Sequence, residues 1–344
     1  MALAAGGGAL FAFLEIPLPW MLGAMAATTA GAMSGLPLRL PRQLRAPMVA
    51  VVGMLLGSGF TGALLRQMPD WLLSLASLPV YVLMLGAAVL LYLTRRVGLP
   101  PRTAFFAATP GGLGEMVLLA ERYDADVRTI ALTHATRILL IVFVVPFVAR
   151  RFDAIGPGGG AMGFGTLPPL ELAMLILAAG AGWIVAIGCR LPAPALIGSL
   201  LGSAALHALD LVAGAPPSWL VAVAQAVIGA SIGARFSGFD IRAVLGTMRV
   251  GVVLTAIMFA LAVPFVAALT ALTGQPFVAL LLAFVPGGLA EMSLVALSLG
   301  IDPAFVASHH LLRIALVVAG ATPIYAWWSR RLKRNGRPEG RPSS

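Results

Sequence analysis

The stretch Thr109-Pro-Gly-Gly-Leu-Gly-Glu-Met116 interrupts a long apolar run, and it returns as Val285-Pro-Gly-Gly-Leu-Ala-Glu-Met292. Proline removes a backbone donor and glycine weakens a helix, so each copy breaks the hydrogen-bond ladder. Inside a bilayer the freed backbone groups must be satisfied by protein or by a water-filled cavity. Three residues after each glycine pair comes a carboxylate, Glu115 or Glu291. An acid at that depth is costly, and it marks a candidate functional site.

The surroundings of the two motifs supply the bilayer. Of 344 residues, 60% are hydrophobic and 10% charged, and the mean hydropathy is +0.97. A soluble domain carries about 25% charged residues. The apolar residues come in runs of about twenty, so the chain reads as an all-α polytopic membrane protein. A net charge of +10, from 23 Lys+Arg against 13 Asp+Glu, would point to nucleic acid in a soluble chain. Here the basic residues sit in short loops and at the C-terminus, as positive-inside topology requires, and no direct nucleic-acid binding is expected. The single Cys189 forms no internal disulfide. The N-terminus lacks a basic n-region, so residues from Met1 onward read as a short membrane segment.

About 11–12 transmembrane segments are expected, in two homologous repeats. The first repeat, residues 1–150, holds segments at about 3–14, 19–36, 47–65 and 71–93, a fifth carrying the first Pro-Gly-Gly break, and a sixth at 129–148. A Gly-rich linker follows at 151–167. The second repeat, 168–328, places segments at about 168–188, 192–212, 217–234, 249–272, 276–299 and 303–327, before a basic tail at 329–344. Pro286 lies 176 residues after Pro110, and the pairs Glu115–Glu291, Asp126–Asp302, His134–His310 and Arg137–Arg313 keep that offset. Matched glycines, prolines and charges over such a length signal internal duplication. The offset carries the start of the second repeat to before Met1, so either the chain begins earlier than Met1 or the first segment is abbreviated. Six crossings per repeat would leave the halves parallel, with the C-terminus cytoplasmic. That arrangement leaves Arg235, Arg242 and Arg249 on the opposite side.

Each repeat offers one constellation. A break leaves the N-terminus of a half-helix, whose unpaired N–H groups carry partial positive charge. The next helix brings His and Arg three residues apart on one face, as His134 with Arg137 and His310 with Arg313, and His309 adds a second imidazole. Gly111, Gly112, Gly287 and Gly288 are the candidate backbone cradle. Glu115 and Glu291 are candidate proton or cation sites, His134, His309 and His310 proton-exchanging partners, and Arg137 and Arg313 anion contacts. The bland alternative makes Glu115–Arg137 and Glu291–Arg313 ion pairs that only hold broken helices in place. Asp126 and Asp302 read as caps of the following helix. Gly-x-x-x-Gly spacings, such as Gly53 to Gly57 and Gly229 to Gly233, read as close helix packing. Four histidines and one cysteine without close ligand spacing suggest no metal or other cofactor.

The duplicated Pro-Gly-Gly-x-x-Glu-Met motif, Leu311-Leu312-Arg313 after His309-His310, and Gly229-Ala-Ser-Ile-Gly233 resemble the membrane AbrB family over residues 10 to 327. The resemblance implies a bacterial inner-membrane protein with an AbrB duplication. Its members are described as regulators of gene expression (the aidB regulator) and as ammonia monooxygenase-type membrane proteins. A small soluble DNA-binding β protein shares the AbrB name, and no segment here resembles it. Read with the residues, the expectation is a non-enzymatic secondary transporter that exports or exchanges a small polar or anionic solute, coupled to protons, as a monomer or homo-oligomer. A membrane regulator or sensor without transport is the alternative, with a membrane monooxygenase behind it.

Overall fold

A computed structural model describes residues 1–60, 67–151 and 167–334. Residues 61–65 of the expected segment 47–65, residues 152–166 of the expected linker at 151–167 and the last ten residues of the tail lie outside them. Every secondary-structure element of the described residues is a helix, and they hold no strand. In chain order, α1 is Ala2–Phe13, α2 Pro19–Met33, α3 Arg42–Gly57, α4 Leu72–Tyr92, α5 Pro101–Ala108, α6 Leu113–Arg122 and α7 Val127–Arg151. After the linker come α8 Pro169–Gly188, α9 Pro194–Ala208, α10 Ser218–Gly233, α11 Ile241–Thr273, α12 Phe277–Phe284, α13 Leu289–Ser298 and α14 Pro303–Arg334. Six of the described spans are long and apolar enough to cross a bilayer: Met68–Val97, Val127–Ala149, Pro169–Gly188, Ser218–Phe236, Ile241–Thr273 and Pro303–Arg331. On α8, Leu170, Leu177 and Ile184 are each 72% exposed. An apolar helix face so open to its surroundings suits hydrocarbon rather than water.

Glycine contacts fix the directions of the helices. Gly53 packs on Leu196 and Ser199, and Gly57 on Leu200 and Ser203, so α3 and α9 run side by side in the same direction. Gly229 packs on Met21, and Gly233 on Met25 and Thr28, so α10 and α2 also run together. Arg45 Nε donates to Ser231 Oγ at 3.1 Å, which puts the start of α3 beside the end of α10. α3 therefore runs back against α2. It follows that α2 opposes α9, and α3 opposes α10, although each pair holds matching positions in the two halves.

The broken segments explain this inversion. Asp126 N–H donates to Thr103 Oγ1 at 3.2 Å, and His134 bonds to the Phe106 carbonyl, so α5 and α7 start at one end and run in parallel. The Tyr123 ring, just past α6, stacks on Phe106 at 5.6 Å. The bond of Asp126 to Thr103, in the first turn of α5, shows that the chain after α6 has returned to the level where α5 began. In the second half His310 bonds to Leu282 O and Arg313 to Gly287 O, so α12 and α14 are parallel and α13 returns. Each Pro-Gly-Gly is the tip of a helical hairpin that enters and leaves at one end of the bundle. An eight-residue arm is about 12 Å long, which reaches only partway through a bilayer core of about 30 Å.

This corrects the expected parallel halves. A segment that turns back leaves an odd number of crossings, so the halves are inverted. One end of the bundle now gathers Arg39, Arg95, Arg96, Arg102, Arg122, Arg190, Arg235 and Arg242 with the end of α14. Contacts of Ser237 with Leu36 and Leu38, and of Arg128 with the Phe239 ring, tie that end together. The opposite end carries Arg150 and Arg151, and pairs Trp71 with Phe305 at 5.3 Å. Asp126 accepts from Thr129 N–H at 3.1 Å and Asp302 from Ala304 N–H at 2.8 Å, so both cap the next helix.

A Cβ on Gly57 would lie 2.5 Å from Leu200 O, whereas Gly86 on α4 has nothing within 4 Å. Gly57→Leu is expected to cost about 1–3 kcal/mol by overpacking, and Gly86→Leu less than about 0.5 kcal/mol. Unfolding of the detergent-solubilised variants checks it, and equal costs would contradict the α3–α9 contact.

Candidate functional site

The hairpin tips keep ordinary backbone conformations, with φ −66° at Gly112 and −74° at Gly288. Glycine is there for space. A Cβ on Gly112 would run into the Glu115 carboxylate, and one on Gly288 into that of Glu291. A Cβ on Gly111 would lie 2.7 Å from Val317 of α14, and one on Gly287 would strike Met292. Each glutamate therefore folds back over its own break. It lies at the N-terminus of α6 or α13, where helical N–H groups favour negative charge.

Both tips open into one cavity of about 1240 Å³. Gly111, Gly112, Glu115 and Arg137 line it from the first half, and Gly287, Gly288, Glu291 and Arg313 from the second. Pro37, Leu38, Arg39, Ser237 and Gly238 frame it at the basic end of the bundle, where it opens.

The histidines are placed differently. His134 Nε2 lies 3.0 Å from Phe106 O, and His310 Nε2 2.9 Å from Leu282 O. A carbonyl only accepts, so each Nε2 carries a proton and donates it to a hairpin arm. His309 bonds to Phe305 O and Ser74 Oγ, both at 2.8 Å, on another face of α14. None of the three is part of the cavity wall.

The two arginines differ. Arg313 donates to Val285 O at 3.3 Å, to Gly287 O at 3.1 Å and to His310 Nδ1 at 3.1 Å. Arg137 is also 2% exposed; the Nε of both arginines has no partner, and neither do Arg137 Nη1 and His134 Nδ1. Among the described residues no carboxylate pairs with either arginine, so the ion pairs Glu115–Arg137 and Glu291–Arg313 are not formed. Arg137 and Arg313 stand close enough for their charges to repel.

Three wall residues escaped the sequence reading. Arg45 and Ser231 bond across the mouth, and Arg235 stands within reach of the charges of Arg45 and Glu291. No spacing rule links residues 45, 231 and 235. Their only sequence signal is charge or hydroxyl at the ends of apolar segments. Among the described residues no group of three His, Cys, Asp or Glu side chains converges as metal ligands.

A helical membrane protein with paired hairpins and a basic cavity between their glycine tips is the class defined by this fold and site. The chain belongs to the AbrB family: residues 20–329 match the family model described as "Transition state regulatory protein AbrB". It is 30% identical over 315 residues to the Escherichia coli (strain K12) protein named "Putative regulator AbrB", covering 88% of each chain. It is 29% identical over 357 residues to the Bacillus subtilis (strain 168) protein named "Uncharacterized protein YhjN", covering 94% of this chain and 91% of that one.

The fold-back of Glu291 over Gly288 predicts coupling. Gly288→Ala is expected to destabilise by about 1 kcal/mol or less, because the carboxylate at the end of the flexible Glu291 side chain can turn aside, and adding Glu291→Ala to recover half of that or more. A double-mutant cycle of unfolding in detergent checks this. Strict additivity would show that the carboxylate does not cover the glycine.

Proposed function

We propose that the protein is a secondary transporter for a small polar or anionic solute, working in a bacterial inner membrane. The supporting observation is the shared cavity, in which both interrupted hairpins, both glutamates and two buried arginines meet. Broken helices that present their termini to a central site, in halves of opposite direction, are a recurrent transporter architecture. Scaffolding alone gives no reason to leave a guanidinium buried and unpaired beside a second one. By the positive-inside rule the basic end faces the cytoplasm, together with the cavity mouth and the end of α14. The solute then enters from the cytoplasm, which suits export or exchange. Glu115 and Glu291 supply the sites for a coupling proton. Any influence on gene expression, in keeping with the name of the Escherichia coli relative, is indirect, through the solute moved.

The metabolite whose level differs between cells lacking and cells overproducing the protein is the solute to test. Proteoliposomes should carry it, and Glu115→Gln with Glu291→Gln should reduce the flux about tenfold or more, the effect of losing an interaction of about 1.4 kcal/mol. Undiminished flux in the double variant would remove the assigned roles. A regulatory effect that survives loss of all flux would favour a sensor.

A further inference from the structure

Arg313 and Arg137 occupy matching positions, 176 residues apart, yet only one is docked. Arg313 rests on the second hairpin through Val285 O, Gly287 O and His310 Nδ1. The acceptors in the same places of the first half are Thr109 O, Gly111 O and His134 Nδ1. His134 Nδ1 is a buried orphan, and so are two nitrogens of Arg137. The first half therefore holds both halves of an unmade bond whose counterpart is made in the second. An unpaired buried guanidinium is costly, and a negative ligand group removes the cost.

We propose that the two arginines alternate. One is parked on its own hairpin tip while the other binds the anionic group of the solute, and the roles reverse when the cavity opens at the opposite end. In the state described here Arg137 is the anion ligand and Arg313 the parked residue. This deepens the transporter reading and rests on it for the identity of the ligand as solute. It selects an anion over a neutral polar molecule. It also assigns His134 and His310 a positioning role: each holds a hairpin carbonyl with Nε2 and offers Nδ1 to its arginine. The inverted directions of the halves make the exchange geometrically natural, because reversing the roles reproduces the same arrangement facing the other way.

Glutamine weakens the Nδ1 contact more than the carbonyl contact, since its amide N–H₂ can replace Nε2 as donor while its amide oxygen, on a flexible chain, stands in for the ring-fixed Nδ1 only at a displaced position. The readout is maleimide labelling of purified protein in nanodiscs, with the exposed Cys189 changed to Ser. Ala46→Cys reports the present mouth, because Ala46 lines the cavity. Ala222→Cys, at the matching position 176 residues on, reports the opposite end and is not part of the wall. His310→Gln weakens the parking of Arg313, so labelling at position 46 should fall about threefold or more while that at 222 rises, as expected for losing a bond to a charged group. His134→Gln weakens only the reversed state, so labelling at 46 should hold or rise. Arg313→Gln should reproduce His310→Gln, and Arg137→Gln should reproduce His134→Gln, which keeps the test open should one histidine variant fail to fold. Identical responses to the matched substitutions, or none, would overturn the exchange. No solute is present in this assay. Absence of flux for every anion with labelling as expected would overturn the transport reading alone.

Discussion

A short helix that stops inside a membrane leaves its last carbonyls without helical partners and without water. That constraint governs this molecule. The eight-residue arms α5 and α12 end at the Pro-Gly-Gly tips, and the donors they need come from the next long helix. His134 answers Phe106 O in the first half. In the second, His310 answers Leu282 O and Arg313 answers Val285 O and Gly287 O. The contacts rise together along arm and long helix, Thr103 with Asp126 then Phe106 with His134, and Leu282 with His310 then Val285 with Arg313, so each long helix runs beside its arm in the same direction. The hairpin geometry and the imidazole contacts are thus one requirement seen twice.

The direction of every other element follows from the turn at the tip. Because the chain re-emerges where it entered, the crossings in each half sum to an odd number and the halves oppose each other. The close approaches that join them, Gly53 and Gly57 on α9 and Gly229 and Gly233 on α2, then bring together helices of like direction. The charge distribution agrees. Under parallel halves Arg235 and Arg242 fall on the wrong side, and under inverted halves they join the other basic loops. The opposed halves also carry their tips toward each other from the two ends, so one cavity can touch both.

Much of this was legible in the residues. The breaks, the acid three positions later, the His-x-x-Arg spacing and the 176-residue offset all appear in sequence because they are local or periodic. What was hidden is whether a chain broken by Pro-Gly-Gly continues or turns back. Local composition is the same in both cases, and only packing of the arm against the next helix decides it. One such ambiguity reversed the topology of half the molecule. The histidines illustrate a second limit: His134 and His310 share a face with the arginines, as the spacing requires, but lie one turn further back, against carbonyls rather than in the cavity. Arg45, Ser231 and Arg235 illustrate a third, since contacts between helices distant in sequence leave no spacing to read.

The local sequences of Arg137 and Arg313 share the motif, the imidazole and the spacing, and differ at Thr109 against Val285, Thr133 against His309 and Thr136 against Leu312. In the proposed exchange their different contacts follow from the end at which the cavity is open. Two equivalent cations in one low-dielectric cavity repel, and parking both on their hairpins would leave the orphaned acceptors satisfied but the excess charge in place. Leaving one unparked concentrates that charge at a single buried guanidinium in the cavity wall, which the glycine tip shares. A neutral solute gains little from such a point. An anionic group both neutralises the cation and supplies the acceptor that His134 Nδ1 provides only in the reversed arrangement, so charge selection and the change of access draw on the same unmade bond.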